Sequence, residues 1–210
     1  MKITKIYQLC GMVVCAAGIS LSVNAQDGST TAAMNSAIRA SFRAEGIVSL
    51  DSINQDATQA LCSDPKLATG DAGAKQRAAV EKENHATIKS PGDGQYLGDW
   101  KEGDKIAENG KGSTWTDKAG VPNGGACYNC HQIGKDEISY GTIGPSLYNY
   151  RKSHGDSQSV VEYTWGKIYN AKAYNACSAM PRFGHFNLLT EKQIKDLVAL
   201  LLDPASPANQ

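Results

Sequence analysis

The chain has 210 residues, 41 % hydrophobic and 20 % charged, with 21 basic and 21 acidic side chains. It is long enough to bury a core, too apolar for a disordered chain and too polar for a polytopic membrane protein. A balanced charge leaves no electrostatic footprint for nucleic acid, so no nucleic-acid partner is expected.

Residues 1–25 read as a secretory signal peptide. Lys2 and Lys5 form a basic start, Leu9 to Leu21 is a mostly apolar run of 13 residues, and Val23-Asn24-Ala25 offers small residues at a cleavage site. The run is shorter than the ~18 apolar residues a membrane span needs. A lipoprotein signal is the other reading, through Cys10 or Cys15. However, Cys15 sits in the middle of the apolar run, where cleavage would leave little hydrophobic segment behind. Cleavage after Ala25 is therefore expected, giving an exported, periplasmic protein without a membrane span. The mature chain then holds 19 basic and 21 acidic residues and four cysteines: Cys62, Cys127, Cys130 and Cys177.

Residues 26–97 form a polar, alanine-rich N-terminal extension. Ala32 to Phe42 is expected to be a short helix, with Ile38 and Phe42 on one face, and Asp71 to Lys89 a second, highly charged one. Ser90-Pro91-Gly92 breaks the chain. Residues 98–210 form the second part. Gly98 to Asn109 reads as a helix placing Trp100, Ile106 and Ala107 around Gly103. A mid-helix glycine costs about 1 kcal/mol relative to alanine, so close approach of another helix is its expected reason. Glycine-punctuated loops follow to residue 150, and residues 151–203 carry two stronger helix signals. In the last, Thr190 and Gln193 have capping-box spacing. Ile194, Leu197, Val198 and Leu201 then form a stripe that ends at Asp203-Pro204. Strand signals are scarce, and an all-α fold with long loops is expected.

Cys127-Tyr128-Asn129-Cys130-His131 is C-x-x-C-H. Two cysteines at this spacing can add to the two vinyl groups of a haem, and the adjacent histidine then reaches the iron. A thioredoxin-like pair would want a βαβ context, which is absent. A zinc site would want a second Cys or His pair, which His85, His154 and His185 do not supply. One covalently bound haem c is the expected cofactor. Met180-Pro181, 49 residues beyond His131, offers a thioether as the second iron ligand. The alternatives are a core methionine, with His185 or Cys177 as ligand instead. Gly144-Pro145-Ser146-Leu147 fits a wall beside His131, its prolyl carbonyl placed to accept the Nδ1 proton. In an exported chain Cys62 and Cys177 are expected to pair, which would tie the extension to the Met180 loop. Two free thiols, or a Cys177 thiolate on iron, are the other readings. No catalytic nucleophile or acid–base pair stands out.

In this order, the Gly98–Gly103 helix, Cys127–His131, Gly144–Leu147, Met180-Pro181 and the capped last helix resemble class I cytochromes c over residues 98–203. Gly141–Leu147, Cys177–Gly184 and Leu200–Pro204 are more narrowly similar to the SoxX family of monohaem subunits of bacterial sulfur oxidation. The long extension and the Gly110–Gly125 stretch depart from the small cytochromes. The resemblance implies a periplasmic heterodimer with a SoxA-type monohaem or dihaem cytochrome, which joins thiosulfate to a cysteine of a SoxYZ-type carrier. In such an L-cysteine S-thiosulfotransferase the bond is made on the SoxA-type subunit. This chain would accept the electrons and pass them to a small cytochrome c. A free-standing electron shuttle is the alternative.

Overall fold

Burial of one apolar helix organises the C-terminal half. In this computed structural model, which describes residues 28–109, 112 and 114–210, the helices are α1 (Gly28–Ser41), α2 (Ala57–Ser63), α3 (Pro65–Ala68), α4 (Ala74–His85), α5 (Trp100–Glu108), α6 (Tyr150–His154), α7 (Gln158–Tyr169) and α8 (Glu191–Leu202). The expected signal peptide lies outside the described residues. Among those residues there is no paired strand beyond a bridge between Glu45 and Val48, and no helix is long and apolar enough to cross a membrane.

Helix α8 starts at the expected capping box: Thr190 Oγ1 accepts from Gln193 N, and Gln193 Oε1 accepts from Thr190 N. Ile194, Leu197, Val198 and Leu201 are buried as their spacing predicts. Ala199, Leu200 and Leu202 are buried as well, because α5, α6, α7 and the turn Pro207–Asn209 cover the helix on several sides. Gly103 explains how α5 comes so near. A Cβ there would lie 2.1 Å from the Asp196 carbonyl oxygen, closer than any atom pair tolerates. The start of α5 is pinned to the same place, since Gly98 N donates to Lys195 O and Asp99 N to the Asp196 carboxylate. Asp196 is buried, but that bond and Lys192 Nζ at 2.6 Å satisfy it. Helix α7 adds Val161, Trp165 and Ile168 to the core.

The extension falls into two parts. Helix α1 belongs to a unit that ends at Ser41, and its Met34 and Ile38 are exposed. Residues 42–97 belong to one unit with residues 98–210. The charged segment 71–89 forms α4 only between Ala74 and His85, since turns occupy both of its ends. Helices α2 and α3 follow chemistry rather than apolar periodicity. Asp56 and Gln59 make a second capping box, and Asp64 caps α3 with Pro65 at its first position.

What attaches this extension is polar. Asn170, fully buried, donates to the backbone and side-chain oxygens of Asn84 and to Thr87 Oγ1, while Asn84 donates to Thr58 Oγ1. Glu81 Oε1 accepts from Ala176 N at 2.9 Å, and Trp165 Nε1 donates to Lys89 O. Buried polar groups hold a fold together when every member has a partner, and this network meets that condition through residues far apart in sequence.

Candidate functional site

The C-x-x-C-H loop hangs from the end of α5. Gly125 N donates to Ile106 O and Ala126 N to Asn109 O, which brings the chain back beside the helix it has just left. Ala126 then takes φ +48°, a left-handed conformation that costs a non-glycine residue about 1–2 kcal/mol. A 3₁₀ turn over Cys127–Asn129 follows, and Cys127 O accepts from the amides of both Cys130 and His131.

A return segment lies along this turn. Gly141 N donates to Tyr128 O, Gly144 N to Cys130 O and Leu147 N to Gln132 O, each at 2.8 Å. Two glycines make that approach possible. A Cβ at Gly141 would lie 1.8 Å from Asn129 O, and one at Gly144 would lie 2.1 Å from His131 Cε1. Beyond the glycine, Pro145 O sits 2.6 Å from His131 Nδ1. A carbonyl only accepts, so Nδ1 donates its proton there, and in the neutral ring Nε2 is the nitrogen that keeps a lone pair. The imidazole is thus oriented as a ligand through its far nitrogen.

Gly144→Ala is accordingly expected to push the ring off Pro145 O and to destabilise the protein by about 1–3 kcal/mol, the usual cost of overpacking. Urea unfolding measures the loss. The Nδ1 proton signal of His131 in NMR should shift with it, and an unchanged signal would contradict the assigned contact.

Cys127 and Cys130 are both free and half-buried. Burial pushes the Cys127 thiol up to about 12, the opposite of the lowered value that makes a redox or nucleophilic cysteine reactive. Among the described residues no three His, Cys, Asp or Glu side chains converge on a point where they could hold a metal ion. A closed zinc site needs four such ligands, so the donor set does not suit one. What it suits is a group joined through sulfur at two points and liganded by Nε2 from a third.

Met180 belongs elsewhere in the loops. Like Cys127, Tyr128, Leu147 and Leu188, it is a half-buried apolar side chain packed on the rim of the core. It lines a cleft of about 320 Å³ with Gln59, Lys172, Arg182, Phe186 and Leu188, and residues Cys127–His131 are not among the walls of that cleft. The two expected halves of the site therefore share a core rather than a cleft.

The Met180 loop is tied to the extension at several points. Cys62 and Cys177 form a disulfide, with Cα atoms 5.4 Å apart. This leaves Cys177 without a thiolate to offer as a ligand. Arg182, only 4 % exposed, is ion-paired with Asp56 and lies over the Phe186 ring at 4.4 Å. Burial opposes charge on Asp56, but the Gln59 amide and the Arg182 guanidinium hold its carboxyl below the usual range. His185 Nδ1 lies 3.2 Å from Thr87 Oγ1, and burial followed by Arg182 lowers its affinity for a proton. The Asp56–Arg182 and Glu81–Ala176 contacts carry no local sequence mark. The capping-box spacing of Asp56 and Gln59 was the one available signal, and it points to a helix rather than to a partner.

A second cleft, about 730 Å³, runs along α5 and is lined by Trp100, Asp104, Glu108, Glu137 and Pro207. Burial and then mutual repulsion with Glu137 raise the carboxyls of Asp104 and Glu108.

The fold and the site thus define an all-helical protein in which a C-x-x-C-H turn presents an oriented histidine. The chain is 39 % identical over 157 residues to a protein of Aquifex aeolicus (strain VF5) described as an uncharacterized lipoprotein, covering 74 % of this chain and 73 % of that one. The chain belongs to the family of that protein. No family model matches it.

Proposed function

We propose that the chain is a c-type cytochrome with class I architecture over residues 98–210, and that it serves as the electron-accepting subunit of a periplasmic sulfur-oxidising complex of the SoxAX kind. The observation that carries this reading is the C-x-x-C-H turn whose histidine is held by Pro145 O with Nε2 left bare. Cys127 and Cys130 would hold one haem c through their sulfurs, and His131 Nε2 and Met180 Sδ would ligate its iron. The haem, when bound, supplies one-electron transfer. The protein's own part is to fix the His131 tautomer, to keep water off through the half-buried rim of Tyr128, Leu147 and Leu188, and to hold the Met180 loop. A methionine–histidine pair suits an acceptor, because the thioether raises the reduction potential.

The partners of this reading are a SoxA-type cytochrome, a SoxYZ-type carrier and a small cytochrome c. One observation favours the free-shuttle alternative: residues 42–97 fold back on their own chain, so less of the extension is left to serve another subunit. Mixing decides between them. Oxidised protein should become reduced when thiosulfate, the SoxA-type subunit and the carrier are all present, and should stay oxidised when any one is left out. Failure to be reduced in the complete mixture would leave the shuttle.

Export is part of the same proposal. The relative's name raises a lipid-carrying cysteine as an alternative to cleavage after Ala25, and the intact mass of the mature chain separates a chain beginning at Gln26 from a lipid-modified one.

A further inference from the structure

The extension has no role in holding the haem as proposed so far, yet several of its contacts, a covalent one among them, converge on one loop. Between Ala176 and His185, the segment that contains Met180 is gripped from residues 56–87 by four links. Cys62 is bonded to Cys177, three residues before the methionine. Asp56 pairs with Arg182, two residues after it. Glu81 accepts from the Ala176 amide, and Thr87 meets His185. Lys172 closes the loop from within, donating to the carbonyls of Ala176 and Ser178. Gln59, the partner of Asp56 in its capping box, lines the Met180 cleft itself.

The two outer links differ in kind. The disulfide fixes one side of the loop by covalent connection across 115 residues. The ion pair fixes the other through a guanidinium that is almost wholly buried. Removing one partner of such a pair leaves a buried charge unpaired, which is far more costly than breaking a surface pair. The methionine lies between these fixed points, and the segment that carries it is irregular, without helical hydrogen bonds of its own to hold it.

We propose that residues 56–87 are a brace for the sixth iron ligand, with Cys62–Cys177 and Asp56–Arg182 as its fixed points, so that retention of Met180 on the iron is controlled from the extension. Asp56 and Arg182 are positioning residues in this scheme and touch no reacting atom. The proposal rests on the haem reading under Proposed function. It adds that loosening either fixed point opens the iron to external ligands without loosening the covalent attachment.

The test uses the full mature chain loaded with haem, with imidazole as the external ligand. Asp56→Asn and the paired change Cys62→Ser with Cys177→Ser should each weaken the thioether-to-iron absorption near ~700 nm. Each should also speed imidazole binding at least about tenfold, since local opening of the loop is then no longer opposed by a buried pair or a bridge. Asp56→Glu should restore the slow rate. Leu200→Ala, in the core of α8, is the control, because it should lower the urea midpoint while leaving the imidazole rate close to that of the parent. If Asp56→Asn and the serine pair keep the band and bind imidazole at the parental rate, the brace is overturned while the haem reading stands. The brace is likewise overturned if Leu200→Ala speeds binding as much as they do. A parent protein that carries haem but lacks the band would remove Met180 as ligand, and the brace with it.

Discussion

Replacing Cys127 and Cys130 together by alanine is expected to abolish covalent haem completely. The parental protein, denatured and run on a gel, should keep its haem-dependent peroxidase stain and should weigh one haem more than its polypeptide. The double variant should show neither. The size of the effect follows from the chemistry, because in the proposed cytochrome two thioethers would be the only covalent links, and both sulfurs are free thiols in the folded chain. Folding should suffer as well. Cys127, Tyr128, Leu147 and Leu188 are only half-buried, and covering such surface stabilises by roughly 25 cal/mol per Å² of apolar area. A chain with no group in place forgoes that contribution, so a lower thermal midpoint is expected beside the lost stain. A parental mass equal to the bare polypeptide would end the cytochrome reading outright.

Met180→Ala should leave the haem attached and change its electronic state. The band near ~700 nm should vanish, and the potential should fall by a sizeable part of the ~0.8 V range over which axial ligands tune haem iron. The prediction is sharp because there are few substitutes. Beyond the expected signal segment the other methionine, Met34, lies in α1 within a different unit, and the Cys177 sulfur is taken by the bridge. His185 is the remaining candidate. It points Nδ1 at Thr87, and burial followed by Arg182 lowers its affinity for a proton, which favours the neutral form that can ligate. An unaltered spectrum and potential would transfer the role to His185, and His185→Ala would then show the loss instead.

The parts that could be read from sequence are those whose physics is local. Helix α8 announced itself through a capping box and a stripe of spacing three and four. Gly103 announced a close helix contact, because a glycine inside a helix costs stability and is usually there for packing. The Pro145 carbonyl was legible as a partner within reach of the His131 imidazole, which the structure shows at 2.6 Å. The extension was harder. Helices α2 and α4 bury Thr58 and Asn84 rather than a row of leucines, so hydrophobic periodicity finds nothing there, although Asp56-x-x-Gln59 and Asp64-Pro65 mark two starts. Least legible was the attachment of the extension to the rest. An aspartate and an arginine 126 residues apart carry no sign that they will meet. A polar segment with few large side chains offers no apolar stripe by which to dock. The fold instead satisfies much of it by a buried network of asparagines, threonines and a carboxylate, which composition alone does not reveal.

The disulfide encloses Cys127 and Cys130 in sequence, and if these two carry haem as proposed, the nesting imposes an order on biogenesis. For a chain exported N-terminus first, as proposed, the thiols emerge as Cys62, then Cys127 and Cys130, then Cys177. Oxidising each newcomer against its nearest predecessor would join Cys62 to Cys127, or Cys127 to Cys130, and either product destroys the haem anchor. The compartment must therefore oxidise one pair while the other stays reduced until it has been consumed. Cys62, moreover, has to wait for a partner 115 residues later. Two chemistries compete for four sulfurs, and the yield of mature protein depends on which reaches the middle pair first. A strain lacking the enzyme that reshuffles disulfides should accumulate chains without haem, while a strain with sluggish haem delivery should accumulate chains cross-linked at Cys127 and Cys130.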